Sequence, residues 1–84
     1  MSSVLIFCSR YCPYCDRARQ LLEAKQVEFE EVLVDVEPER RPEMVQRAGG
    51  RTSVPQIFIG DLHIGGYDDM AALERAGKLD ALLE

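Results

Sequence analysis

Cys12-Pro13-Tyr14-Cys15 stands between a short apolar run and a stretch of helical periodicity, so the chain has to bring two thiols together where a strand hands over to a helix. The run is Val4-Leu5-Ile6-Phe7-Cys8, whose β-branched and aromatic content predicts a strand buried on both faces. After the motif, Tyr14, Ala18, Leu21, Leu22 and Lys25 recur at helical spacing, with Asp16, Arg17, Arg19, Gln20 and Glu23 on the other side. This helix is expected to begin at the CxxC and to end near Gln26. With Cys12 as N-cap, Pro13 falls at N1, where its fixed φ suits a helix and its missing N–H costs nothing, and Cys15 falls at N3.

Residues 29–36 carry Phe29, Val32, Leu33, Val34 and Val36, a second strand too short for a helix. Residues 37–48 are charged and hold two prolines; Pro42 fits the first turn of a short helix closed by Gly49-Gly50. Pro55-Gln56-Ile57-Phe58-Ile59 and Leu62-His63-Ile64-Gly65 flank Gly60-Asp61, a turn that joins antiparallel strands. Asp68-Asp69 then opens a helix lined by Met70, Leu73 and Ala76 and stopped by Gly77, and Leu79, Leu82 and Leu83 make a last helical turn or two. The order β-α-β-α-β-β-α predicts an α/β protein with a four-stranded mixed sheet flanked by helices, the element order of the thioredoxin fold.

Eighty-four residues with 46% apolar content make one domain over residues 1–84, with a modest core. Ten basic against fifteen acidic residues, a net charge of −5, oppose nucleic-acid backbones and anionic membranes as partners. Met1-Ser2-Ser3-Val4-Leu5-Ile6-Phe7 lacks the basic region of a secretion signal, and no run approaches membrane-spanning length, so a cytoplasmic protein is expected. In that reducing compartment a close cysteine pair is catalytic or metal-binding rather than structural.

An N-cap side chain accepts hydrogen bonds from the backbone N–H groups of the first turn, and those donors, with the positive end of the helix dipole, favour a thiolate on Cys12. Arg10, Arg17 and Arg19 lie near it in sequence. Cys12 is therefore the expected nucleophile and Cys15 the resolving thiol of a thiol-disulfide oxidoreductase. Lowering a thiol pKa from ~8.5 to ~5 raises its ionised fraction at pH 7 roughly 30-fold, while a Brønsted coefficient of about 0.4–0.5 costs about 25- to 55-fold in nucleophilicity. The gain is mainly a better leaving group, which suits a catalyst of exchange. Cys8, Cys12, Cys15 and His63 nominally supply four zinc ligands, but Cys8 and His63 have no matching CxxC or HxxxH spacing, and no metal is expected. Cys8 at a strand end reads as a small buried residue, and His63, between Leu62 and Ile64 on an edge strand, as solvated. Tyr14 reads as a site residue or a core contact.

Cys12-Pro13-Tyr14-Cys15, the segment Arg51-Thr52-Ser53-Val54-Pro55-Gln56-Ile57-Phe58-Ile59 and Gly65-Gly66-Tyr67-Asp68-Asp69, in this order, resemble the bacterial dithiol glutaredoxins over almost the whole chain. The resemblance implies glutathione as electron-donating co-substrate, with no bound cofactor, and glutathionylated and disulfide-containing proteins as partners of a monomer. It implies that Pro55 is cis beside the dithiol, although a plain turn proline also fits there. It implies that the Val54 backbone pairs with the cysteine moiety of glutathione, and that Gly66, Tyr67, Asp68 and Asp69 hold its γ-glutamyl end; a bare helix cap explains the two aspartates as well. Tyr14 and Arg51 belong to the same implied binding set. Many members carry lysine three residues before the nucleophile to hold the glycine carboxylate; here that residue is Ser9, and Arg10 or Arg51 is the substitute. Two other classes stay open: a redoxin recharged by thioredoxin reductase, and a zinc module or a dimer bridging an iron-sulfur cluster through Cys12. Pro13 weighs against the last, since cluster-binding members usually carry Gly or Ser there.

Overall fold

The computed structural model describes residues 3–84, so the expectation for Met1 and Ser2 lies outside the described residues. Strand β1 (Val4–Cys8) runs parallel to β2 (Glu30–Leu33) and antiparallel to β3 (Gln56–Ile59), which pairs antiparallel with β4 (Leu62–Gly65). The four-stranded sheet has the order β2-β1-β3-β4. Helix α1 (Pro13–Ala24) makes the crossover from β1 to β2, the connection a parallel pair requires. After a 3₁₀ turn at Pro38–Arg40 come α2 (Arg41–Arg47), the β3-β4 hairpin, α3 (Tyr67–Arg75) and α4 (Leu79–Leu83).

The period of two along a strand sorts the core into two layers. Val4, Ile6 and Cys8 of β1 and Ile57 and Ile59 of β3 pack with Cys15, Ala18 and Leu22 of α1 and with Met70, Leu79 and Leu83. Phe7 and Phe58, one residue out of phase, face the other way onto Val32, Val34, Met44 and Ala48. Both faces of β1 are thus covered, as its continuous apolar run predicted.

Four expectations need correction. The second strand stops at Leu33 instead of Val36 because its partner ends at Cys8; Val34 N–H makes one last bond to the Cys8 carbonyl, 2.9 Å, and the chain then turns on the Leu33 carbonyl. The first helix ends at Ala24, with Gln26 left-handed at φ 58°. Its buried stripe is Cys15, Ala18 and Leu22, leaving Tyr14 half exposed, while the Lys25 ammonium lies 2.7 Å from both Glu74 and Asp80 and ties α1 to the C-terminal helices. His63 is not simply solvated: its ring stacks on Phe58, centroids 4.9 Å apart, and its Nε2 lies 2.7 Å from Gln56 Oε1.

Candidate active site

The N-terminus of α1 follows the capping arrangement the motif demands. Cys12 is extended, at φ −132° and ψ 108°, Pro13 occupies the first helical position, and Cys15 N–H donates to Cys12 Sγ at 3.3 Å. Cys12 is half-buried, whereas Cys15 and Cys8 are fully buried, and all three sulfurs are free thiols. The side-chain alternation that points Cys8 toward α1 brings its sulfur into hydrogen-bonding reach of Cys15.

That third thiol changes the electrostatics. The Cys8 thiol, donating to Cys15, draws Cys15 down to about 6 against the opposing effect of burial, with further help from Cys12, the Ser9 backbone and the Arg19 charge. Cys8 itself is pushed up, first by that same hydrogen bond and then by burial. Burial also pushes Cys12 up, as does its bond to Cys15; the N–H groups of Cys15 and Tyr14 pull it the other way without prevailing. The capping donors expected at Cys12 are present, Cys15 N–H among them, and burial and the neighbouring Cys15 sulfur oppose them. Arg10 and Arg17 do not supply the missing stabilisation, since Arg10 is bound to Asp35 and Arg17 lies over the Tyr14 ring, 5.4 Å from its centroid.

Beside Cys12 runs a shallow groove. The Cys12 thiol faces the Val54 carbonyl at 3.9 Å, and the Val54-Pro55 peptide bond is cis. From there Tyr14, Arg51, Ser53, Val54 and Pro55 line the groove as far as Gly66, Tyr67, Asp68 and Asp69 at the start of α3. At that start Asp69 accepts from Gly66 N–H at 2.9 Å and from Arg51 Nη1 at 3.2 Å. Those two donors, the Gly66 amide first, hold the Asp69 carboxyl below the usual range, so it is ionised at neutral pH.

The structure thus gathers Tyr14, Arg51, Val54, Pro55, Gly66, Tyr67, Asp68 and Asp69 around one groove next to Cys12. Arg10 stands apart, with its backbone N–H 3.2 Å and its side-chain Nε 3.0 Å from Asp35 Oδ2. Ser53 is a lining residue that sequence reasoning missed, though it sits between Arg51 and Val54 in the segment already singled out. The four nominal zinc ligands do not converge: among the described residues no three His, Cys, Asp or Glu side chains are grouped to hold a metal ion.

A strand-helix junction carrying two thiols beside a cis-proline loop, on this sheet order, defines a thiol-disulfide oxidoreductase of the thioredoxin fold. Comparison with known proteins narrows the class. The Glutaredoxin family model matches residues 4–64. A glutaredoxin of Pseudomonas aeruginosa is 57% identical over 83 residues, covering 99% of this chain and 98% of the relative. The solution structure of a Brucella melitensis glutaredoxin superposes with a TM-score of 0.85 at 52% identity, over 99% of this chain and 89% of the other. The crystal structure of a buckwheat glutaredoxin-glutathione complex gives a TM-score of 0.88 at 30% identity, over 98% and 76%. The chain belongs to the glutaredoxin family.

Proposed function

We propose that the chain is a cytoplasmic, monomeric, single-domain glutaredoxin that reduces protein-glutathione mixed disulfides and protein disulfides with electrons from glutathione. The observation that carries this reading is the groove that begins at Cys12 and the Val54 carbonyl and ends at the α3 N-terminus, with Arg51 and Asp69 as opposite charges inside it. A γ-glutamyl tripeptide has the matching features: a backbone to pair with Val54, a carboxylate for the free N–H groups of α3, and an ammonium for an aspartate. Tyr14, Pro55, Gly66, Tyr67 and Asp68 complete the proposed contact set. Arg10 would have to leave Asp35 to reach the glycine carboxylate, whereas Arg51 already lines the groove, where it pairs with Asp69.

In the proposed cycle Cys12 attacks the glutathione sulfur of a mixed disulfide. A bond forms between Cys12 and glutathione, the protein leaves as thiolate, and the Cys12 proton passes along the S–H···S contact to Cys15. A second glutathione, as thiolate, attacks the bound glutathione sulfur, giving oxidised glutathione and releasing Cys12; the proton then returns from Cys15. With a protein disulfide, Cys12 forms the mixed disulfide in the same way; Cys15 passes the proton it took up to the first departing protein thiolate, attacks Cys12 as thiolate and displaces the second, closing Cys12–Cys15, which two glutathione molecules reopen in turn as they become oxidised glutathione. The N–H donors of Tyr14 and Cys15 stabilise Cys12 as a leaving group each time.

The test is to supply glutathione with glutathione reductase, and separately thioredoxin reductase, and to follow disulfide reduction. Turnover with the first system is expected. Turnover with the second alone would assign the chain to another electron donor.

A further inference from the structure

Gln56 is fully buried yet polar, and it is the one such residue in the described core. A buried amide is tolerated when its donors and acceptor are used, and here they are used directionally. Its Nε2 lies 3.0 Å from the Ser53 carbonyl and 3.3 Å from Ser53 Oγ. A carbonyl only accepts, so the amide nitrogen must face Ser53 and Oε1 must face His63 Nε2, 2.7 Å away. His63 therefore carries its proton on Nε2, whatever the state of Nδ1. A chain of donors runs from the edge strand β4 through the sheet to the residue just before Val54.

We infer that His63, acting through Gln56, is a positioning residue that fixes the Ser53-Val54-Pro55 loop so that Val54 presents its backbone to the peptide part of glutathione; the inference rests on the glutathione reading above. His63 lies outside the groove, so its effect is transmitted and not by contact. Two features make the link rigid: the His63 ring is stacked at 26° on Phe58, and Arg47 covers the same Phe58 ring at 4.6 Å. Without the Nε2 donor, Gln56 Oε1 has no partner in the core, the amide turns to seek one, and the Ser53 anchor loosens.

The experiment compares one cysteine-containing peptide carried as its glutathione mixed disulfide and as its 2-mercaptoethanol mixed disulfide, and reads the ratio of kcat/KM for the two. His63→Phe keeps an aromatic ring on Phe58 and removes the donor, whereas His63→Gln keeps a donor near the position of Nε2 and removes the ring. The ratio falls about fivefold to tenfold in His63→Phe through KM for the glutathione form, and returns to within about twofold of wild type in His63→Gln. A wild-type ratio in His63→Phe overturns the inference, as does failure of His63→Gln to restore it, since the ring would then be what matters. If His63→Phe does not fold, His63→Leu, which also lacks the donor, takes its place, and a wild-type ratio there overturns the inference. A wild-type protein with no preference for the glutathione form would instead overturn the glutathione reading itself.

Discussion

Gly65→Ala tests how the α3 end of the groove is built. Gly65 closes β4 at φ 112°, and the ladder slips beside it, Phe58 facing His63 while Ile57 faces Gly65. A Cβ placed there would lie 2.3 Å from Asp69 Oδ2 and 2.8 Å from Arg51 Nη1. Both are ends of flexible side chains, so they can move, but only by giving up the bond from Gly66 N–H to Asp69 and the Arg51 pair. The backbone strain is of order 1–3 kcal/mol, and losing the Gly66 bond adds about 0.5–2 kcal/mol. Together about 1.5–5 kcal/mol is expected, a fall in Tm of roughly 6–40 °C for a domain of this size. Gly60→Ala is the control: φ is 58° and nothing lies within 4 Å of the added carbon, so only backbone strain of about 1 kcal/mol applies. Urea unfolding followed by circular dichroism measures both, and the cycle with Asp69→Ala isolates the collision, because removing the carboxylate first should make Gly65→Ala cheaper by about 1 kcal/mol. Equal costs for the two glycines, or strict additivity with Asp69→Ala, would show that Asp69 is not what the missing Cβ makes room for.

Three further outcomes follow from the site. In Cys15→Ser, mixed-disulfide reduction persists but protein-disulfide reduction is mostly lost, and the pH midpoint for alkylation of Cys12 by iodoacetamide moves down, because the Cys15 sulfur that helps push Cys12 up is gone; an unmoved midpoint would remove Cys15 from that role. Cys8→Ala removes the largest influence lowering Cys15, so the pH midpoint of that buried thiolate, read by its ultraviolet absorbance, rises while turnover stays near wild type; an unchanged midpoint would leave Cys8 a packing residue. In Arg51→Ala stability changes by less than about 1 kcal/mol, because both partners of its ion pair are solvated, while KM for a glutathionylated peptide rises about tenfold; a KM equal to wild type would remove Arg51 from the binding set.

The features legible in the sequence are those whose cause is local. Proline after Cys12 marks a helix start wherever the chain goes, Gly60-Asp61 closes a hairpin by its own backbone, and the apolar run on β1 declares burial on both faces. What escaped depends on partners distant in sequence. The end of β2 is set by the length of β1, Lys25 is held by Glu74 and Asp80, and Arg10 is held by Asp35, 25 residues away. His63 fits an alternating edge strand equally well whether its ring meets water or Phe58. Tyr14 shares the period of the buried stripe but lies at its margin, since the helix turns Cys15 inward instead.

The same distinction explains the dithiol. Capping separates Cys12 from Cys15 by position alone, and that much follows from CxxC with proline at N1. Which sulfur keeps the proton depends on Cys8, whose place on the α1-facing side of β1 follows from alternation with Val4 and Ile6, but whose meeting with Cys15 follows only from how the strand and helix pack. A sulfur that must first attack and later depart cannot be optimised for both by its own pKa, because each gain in thiolate fraction is nearly offset in nucleophilicity. A neighbouring sulfur that takes the proton on attack and returns it on departure avoids that compromise. In this chain two buried thiols stand behind Cys12, and the one between Cys12 and Cys8 is the one drawn down.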